Sequence, residues 1–223
     1  VTGAGLSPAD VAASVDLAEA SLEAQSCEVL GVIANRVATA DVEAVRAALL
    51  ARQQVGEITE VVPDEPLLVT PTVNQIVDAC SATVISGTRE HLDDDVRAFI
   101  VAAMTLPRVL DALPPAGLII VPGDRPEIMV GVLMAHRAQT FPRLSAILMT
   151  GGVHPEPVVQ RLVDGLGSGL PIAVTPLNTF RAATAAAATR GSLLDRAPRK
   201  TERALALFAG HVSGDNLLDR LDL

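Results

Sequence analysis

The sequence predicts an α/β protein of two parallel-sheet units, the second with helices on both faces of its sheet. Short apolar runs alternate with segments of helical periodicity along most of the chain, the pattern expected of parallel α/β folds. The runs GLIIV (117–121) and SAILM (145–149) are apolar throughout, which is typical of parallel strands covered on both faces. Hydrophobic residues make up 49% of the chain and aromatic residues 2%, so small aliphatic side chains must pack the helices against the sheet.

The first 70 residues predict two helices and two strands. Ser7 as N-cap, Pro8 at the first helical position and Asp10 three residues after the cap are typical of a helix start. That helix is predicted over 8–25, a second helix over 41–52, and strands over 28–34 and 58–62. Prolines then interrupt the pattern, and we place a domain boundary between Pro66 and Thr72.

The rest of the chain is more regular. A linking helix is predicted over 72–82 and a charged surface loop over 90–95. Strands are predicted over 97–103, 117–121, 145–149 and 171–174, and helices over 106–113, 126–138, 156–166, 178–189 and 201–209, with another beginning at 216–223.

Charge and motif content argue against several functions. With a net charge of -9, the chain is not expected to have the basic surface that binding of nucleic acid requires. The four histidines have no metal-ligand spacing, and neither a phosphate-binding G-x-x-x-x-G-K-[ST] loop nor a G-x-S-x-G elbow occurs. We therefore expect no metal, no cofactor and no catalytic residues. Cys27 and Cys80 are interpreted as reduced, buried thiols, and the absence of a long apolar run favours a cytoplasmic protein.

Two tripeptides stand out as a candidate site. Gly123-Asp124-Arg125 follows one predicted parallel strand and Thr150-Gly151-Gly152 follows the next, so both loops should lie at the carboxyl edge of the sheet. Ligands of open α/β sheets bind at this edge, especially where the strand order reverses. The glycines permit positive φ, and Asp124 could cap the next helix or fix Arg125. The same residue types also serve ordinary turns, so a ligand site, an interface and a structural role remain open.

These tripeptides, together with VLGVIANRV, VVPDEPLL, VAAMTL, IIVPGDRPEIMV, AILMTGG and HVSGDNLLDRL, resemble the amino-terminal half of long-form phosphate acetyltransferases. The second unit resembles their DRTGG domain, which is named for such residues. In that family a dethiobiotin-synthetase-like, P-loop-type domain comes first and the acetyl-transferring domain last.

The resemblance implies three regions: 1–70, the carboxyl-terminal part of the P-loop-type domain; 71–190, the DRTGG domain; and 191–223, helices and a linker toward a catalytic domain that this chain lacks. It implies a non-catalytic regulatory and oligomerisation region, with Asp124, Arg125, Thr150, Gly151 and Gly152 as ligand or interface residues. The expected partners are the acetyltransferase domain, further copies of the chain and a possible metabolite effector, without nucleic acid or membrane. A free-standing DRTGG adaptor module is the alternative, and a dethiobiotin-synthetase-type enzyme is disfavoured by the missing phosphate loop.

Overall fold

The computed structural model describes residues 1–52, 58–192 and 198–213. Residues 1–68 and 198–213 form one compact unit, and 69–192 form the second. The helices are α1 (Pro8–Glu23), α2 (Val42–Leu50), α3 (Pro66–Val69), α4 (Val73–Ala79), α5 (Leu106–Asp111), α6 (Pro126–Arg137), α7 (Pro157–Leu166), α8 (Thr179–Ala188) and α9 (Pro198–His211). The strands are β1 (Gly31–Val37), β2 (Ile58–Pro63), β3 (Thr83–Ser86), β4 (Ala98–Val101), β5 (Gly117–Pro122), β6 (Ala146–Thr150) and β7 (Ile172–Val174).

The first unit packs helices on a small parallel sheet. β1 pairs with β2 in parallel, and Thr2 adds a parallel bridge to Asn35 on the other side of β1. The core lies between these strands and α1 and α2 and contains Val11, Val15, Ala34, Val37, Val45, Leu49 and Val61. The predicted capping box of α1 is confirmed, because the Ser7 Oγ accepts the Asp10 N–H at 3.3 Å and the Asp10 carboxylate accepts the Ser7 N–H at 3.4 Å.

Strand β1 starts three residues later than predicted. The sequence run EVLGVIA predicts a strand over 28–34, whereas the pairing begins at Gly31 opposite Ile58. A Cβ on Gly31 would lie 2.7 Å from the Cβ of Ile58, so the strands approach closely there. The start of β1 is therefore set by its partner and not by its own apolar run. α9 covers the helix predicted over 201–209, in the region expected to contain helices and a linker. It groups with this unit, and its Arg203 Nε donates to Glu65 at 2.7 Å.

The second unit contains a five-stranded sheet in the order β3-β7-β6-β5-β4. The strands from β4 to β7 are parallel, and β3 runs antiparallel to β7 at the edge. β3 was not predicted, because TVIS contains polar residues and is only partly buried. The order β4-β5-β6-β7 has no reversal, so the two predicted loops do not lie at a point where the strand order reverses.

Helices cover both faces of this sheet, as predicted. One apolar cluster joins α5, α6 and α7 to residues such as Ile119, Ile147 and Ile172, and the other joins α4 and α8 to Leu118, Leu148 and Ala173. Alternate residues of β5, β6 and β7 thus point to opposite faces, which explains why these strands are apolar throughout.

Three further predictions need correction. The helix predicted as a link over 72–82 is α4, capped by Thr72 and packed into the core of the second unit. The charged loop over 90–95 overlaps a 3-10 helix, Arg89–Asp93. Cys27 is exposed, because it follows the end of α1, whereas Cys80 is buried, and burial raises the pKa of its thiol. The helix expected to begin at 216 lies outside the described residues.

Among the helices within the described ranges, none is both long and apolar enough to cross a membrane.

Candidate functional site

The structure brings the two predicted loops together at the carboxyl edge of the second sheet. β5 and β6 are adjacent and parallel, with Pro122 opposite Thr150, so the loops that follow them start side by side. The Gly123 N–H donates to the Thr150 carbonyl at 3.0 Å. A Cβ on Gly123 would overlap that carbonyl oxygen and lie 2.8 Å from the Cβ of Val153. Gly123 is therefore required for the contact between the loops.

The glycine pair forms the turn after β6. Gly151 and Gly152 have φ of 83° and 68°, in the left-handed region that glycine adopts without steric cost, as the sequence analysis expects. Their N–H groups donate to the carbonyls of Leu177 and Thr175, each at 2.8 Å. These two donors are thus already used to connect the β6 loop to the β7 loop, and neither is left for an anionic ligand.

Thr150 joins the same network through its side chain. It is 3% exposed, and its Oγ1 lies 2.8 Å from the Oγ1 of Thr179 in the first turn of α8. The α8 start is fixed in turn by Asn178, whose side chain accepts the Arg181 N–H at 2.9 Å. Hydrogen bonds therefore join the loops after β5, β6 and β7 into one layer.

Arg125 connects this layer to the loop after β4. Its Nη1 donates to the carbonyls of Met104 at 3.0 Å and Ala103 at 3.3 Å, and its Nε pairs with Glu127 at 3.1 Å. The suggestion that Asp124 fixes Arg125 is wrong, since Glu127, two residues along, is the carboxylate in contact. Asp124 is exposed and makes no hydrogen bond or ion pair with the described residues.

Exposed apolar side chains also belong to this edge, and the sequence analysis missed them. Met104 follows β4, Val153 follows the glycine pair, and Phe180 lies in the first turn of α8; they are 46%, 45% and 80% exposed. Phe180 carries one of only four aromatic rings in the chain. Its position two residues after the N-cap Asn178 was the available signal, because the first turn of a helix is enriched in acidic residues.

The loops at the carboxyl edge are therefore connected by hydrogen bonds and do not form a polar cleft. The N–H groups of its glycines and the Nε and Nη1 of Arg125 are engaged in contacts within the unit. The carboxylate of Asp124 and three apolar side chains are exposed at this edge. In the ranges that the structure covers, no group of three or more histidine, cysteine, aspartate or glutamate side chains has the geometry to hold a metal ion.

Comparison with known proteins identifies the second unit. The family described as the DRTGG domain matches residues 75–189. Phosphate acetyltransferase of Synechocystis sp. is 32% identical over 217 residues, which cover 96% of this chain and 31% of that protein. The phosphate acetyltransferases of Nitratidesulfovibrio vulgaris (33% identical, 72% of this chain and 23% of that protein) and Deinococcus radiodurans (26% identical, 98% and 31%) are similar as well. The chain thus spans less than a third of the length of these relatives.

Among solved structures, the chain is similar to the CBS and DRTGG domains of the regulatory region of Clostridium perfringens pyrophosphatase, complexed with the activator diadenosine tetraphosphate. The TM-score is 0.43 at 15% identity, over 86% of this chain and 82% of that one.

Proposed function

This chain belongs to the DRTGG domain family, and we propose that it is the regulatory and assembly region of a longer phosphate acetyltransferase. The observation that carries the proposal is the pattern of coverage: 96% of the chain aligns with less than a third of a phosphate acetyltransferase. The parent reaction would interconvert acetyl-CoA and phosphate with acetyl phosphate and CoA in the cytoplasm. An acetyltransferase domain of the same polypeptide would be the catalytic partner.

The first unit is proposed to be the carboxyl-terminal part of a dethiobiotin-synthetase-like, P-loop-type domain. Parallel pairing of β1 with β2, and the parallel bridge from Thr2 to Asn35, support this assignment. α9 would complete that domain instead of serving as a linker, because it groups with residues 1–68.

The carboxyl-edge surface is proposed as the contact between copies of the chain. Methionine and aromatic side chains are enriched at the centres of protein interfaces, and Met104, Val153 and Phe180 are all exposed at this edge. The occupied glycine N–H groups and the braced Arg125 favour this interface over a phosphate or carboxylate ligand at the same edge.

Light scattering on the purified chain and on Phe180→Asp tests this assembly. An acidic residue in the first turn of a helix is compatible with the helix dipole, so the substitution should leave α8 intact and disrupt only an apolar contact. We expect an oligomer for the unmodified chain and a monomer for Phe180→Asp. Leu17→Asp, at a 75% exposed position of α1, is the matched control and should keep the oligomer. A monomeric unmodified chain, or an oligomeric Phe180→Asp, would contradict the interface.

The regulatory assignment is tested on the complete protein that contains this chain. We expect that protein to form acetyl phosphate from acetyl-CoA and phosphate, and we expect deletion of residues 1–223 to change its oligomeric state and its response to metabolites. A complete protein without acyltransferase activity would instead favour a free-standing DRTGG adaptor module.

A further inference from the structure

A second candidate site lies at the opposite edge of the same sheet. A cavity of about 380 Å³ is open at the amino ends of β6 and β7. It is lined by His91, Asp94, His136, Arg143, Leu144, Ser145, Ser168, Leu170 and Pro171. The polar members come from the 3-10 helix before β4, the end of α6 and the connections that precede β6 and β7. The cavity is near the lower end of the volume range of small-molecule sites.

His136 supplies a buried donor to this cavity. Its side chain lies at the end of α6 and the residue is only 7% exposed. Its Nδ1 accepts the Leu144 N–H at 3.0 Å, so the proton of the neutral ring must be on Nε2. Burial, and then the nearby Arg143 and His91, lower the pKa of this imidazole, which keeps the ring neutral. The Nε2–H has no hydrogen-bond partner among the described residues and is the ring's remaining polar group for the cavity.

Arg143 places a permanent positive charge beside that donor. Its Nη1 makes one long hydrogen bond, 3.4 Å, to the His136 carbonyl. It forms no salt bridge within the described parts of the chain, which contrasts with Arg125 at the other edge. Most of the donors of its guanidinium group are therefore available, and a planar guanidinium is well suited to carboxylate and phosphate.

The other polar groups of the lining are arranged compatibly. Asp94 is the acidic residue in the lining, and its Oδ2 lies 2.8 Å from Nδ1 of His91. The Ser168 Oγ accepts the Leu170 N–H at 3.3 Å, which leaves its hydroxyl proton to donate. A Cβ on Gly169 would lie 3.3 Å from Cδ2 of His91, so glycine allows this ring to pack against the chain.

We propose that this amino-edge cavity binds a small oxyanion, a phosphate or a carboxylate group, through the His136 Nε2–H and the Arg143 guanidinium. The Ser168 hydroxyl is a third donor in the lining. The proposal does not depend on the interface at the carboxyl edge, because the two sets of residues lie at opposite ends of the strands.

Histidine NMR can test this proposal directly, because the chain has only four histidines. Inorganic phosphate and acetate are titrated separately into the 223-residue chain, labelled at histidine, at constant pH and ionic strength, with chloride as the salt control. We expect saturable changes in the ring signals of His136 and His91 with at least one of the two anions. His154 and His211 are outside the lining and should not change. The anion that binds more tightly identifies the head group.

Three variants separate recognition from folding. His136→Asn keeps an acceptor near the position of Nδ1 for the Leu144 N–H but removes the Nε2–H. Arg143→Gln removes the charge. Because each substitution removes a hydrogen bond to the charged anion, each should weaken binding by about tenfold or more. Arg137→Gln, at an exposed position one residue beyond His136, is the control and should bind as the unmodified chain does.

Binding is monitored at His91 in the His136→Asn variant, and circular dichroism verifies that each variant is folded. No saturable change at His136 and His91 with either anion would overturn the proposal. Unchanged affinity in folded Arg143→Gln would overturn it as well.

Discussion

Substitution of Gly123 tests whether the loops at the carboxyl edge are held together as the structure indicates. In Gly123→Ala, the new methyl group would overlap the Thr150 carbonyl and lie 2.8 Å from the Cβ of Val153. Two of the three nearest atoms are backbone oxygens, so rotation of a side chain cannot relieve the overlap. The loops must separate, and the 3.0 Å hydrogen bond from the Gly123 N–H to Thr150 is then weakened or lost.

The expected cost follows from these two effects. Overpacking a tight site costs about 1–3 kcal/mol, and a lost hydrogen bond costs about 1 kcal/mol. The lower chain entropy of alanine in the unfolded state offsets about 0.4–1 kcal/mol. We therefore expect Gly123→Ala to lower the free energy of unfolding of the second unit by about 2–3 kcal/mol. For a unit of this size the melting midpoint should fall by about 8–15 °C.

Gly165→Ala is the matched control. Gly165 lies inside α7, a Cβ there would meet nothing within 4 Å, and its φ is not positive. Alanine should therefore stabilise this helix by about 0.4–1 kcal/mol. Far-UV circular dichroism is the suitable assay, because the chain contains no Trp or Tyr. If Gly123→Ala melts within about 1 °C of the unmodified chain, the loops are not held as the structure describes.

Three further predictions concern charge and chemistry. Because the folded-state pKa of His136 is lowered by burial, Arg143 and His91, the unfolded chain takes up a proton first as the pH falls. The free energy of unfolding, measured by urea denaturation, should therefore decrease below about pH 6.5, by at most about 1.4 kcal/mol per pH unit, and His136→Asn should flatten this decrease. Arg125→Ala should lower the unfolding free energy by about 1 kcal/mol, because two backbone carbonyls lose a charged donor, and equal stability by urea denaturation would argue against that brace. The 223-residue chain should not acetylate CoA from acetyl phosphate, and turnover that persists after removal of contaminating enzyme would refute this.

Features specified by neighbouring residues were predictable from the sequence. The Ser7 cap depends on Asp10, three residues away, and strands β5, β6 and β7 follow from apolar runs that any sheet with two covered faces requires. The errors arose where a distant partner decides the structure. β1 begins where Ile58 allows it to pair, and β3 forms because β7 offers an edge to a segment with little apolar signal of its own.

The difference between features set by neighbouring residues and features set by distant ones also explains what the sequence could indicate about sites. It placed Asp124, Arg125 and the glycine pair at one edge, because parallel strands fix where their loops emerge. It could not show whether these residues bind a ligand or form hydrogen bonds within the unit. An arginine or a glycine N–H can do either, and the residues around it in the fold decide which. At the carboxyl edge the carbonyls of Met104, Leu177 and Thr175 accept hydrogen bonds from the arginine and the glycine pair.

At the amino edge, in contrast, donors remain unused after folding, and no sequence motif indicated this. Nothing about Arg143 sets it apart from the other arginines in sequence, and His136 reads as an ordinary helix-terminal histidine. The fold brings them together with His91, 45 residues before His136 in the numbering, and with Ser168 from the next connection. What makes this edge the better candidate for an anion is the unused bonding capacity that remains after folding: one buried imidazole N–H and one guanidinium without a carboxylate partner in the described chain.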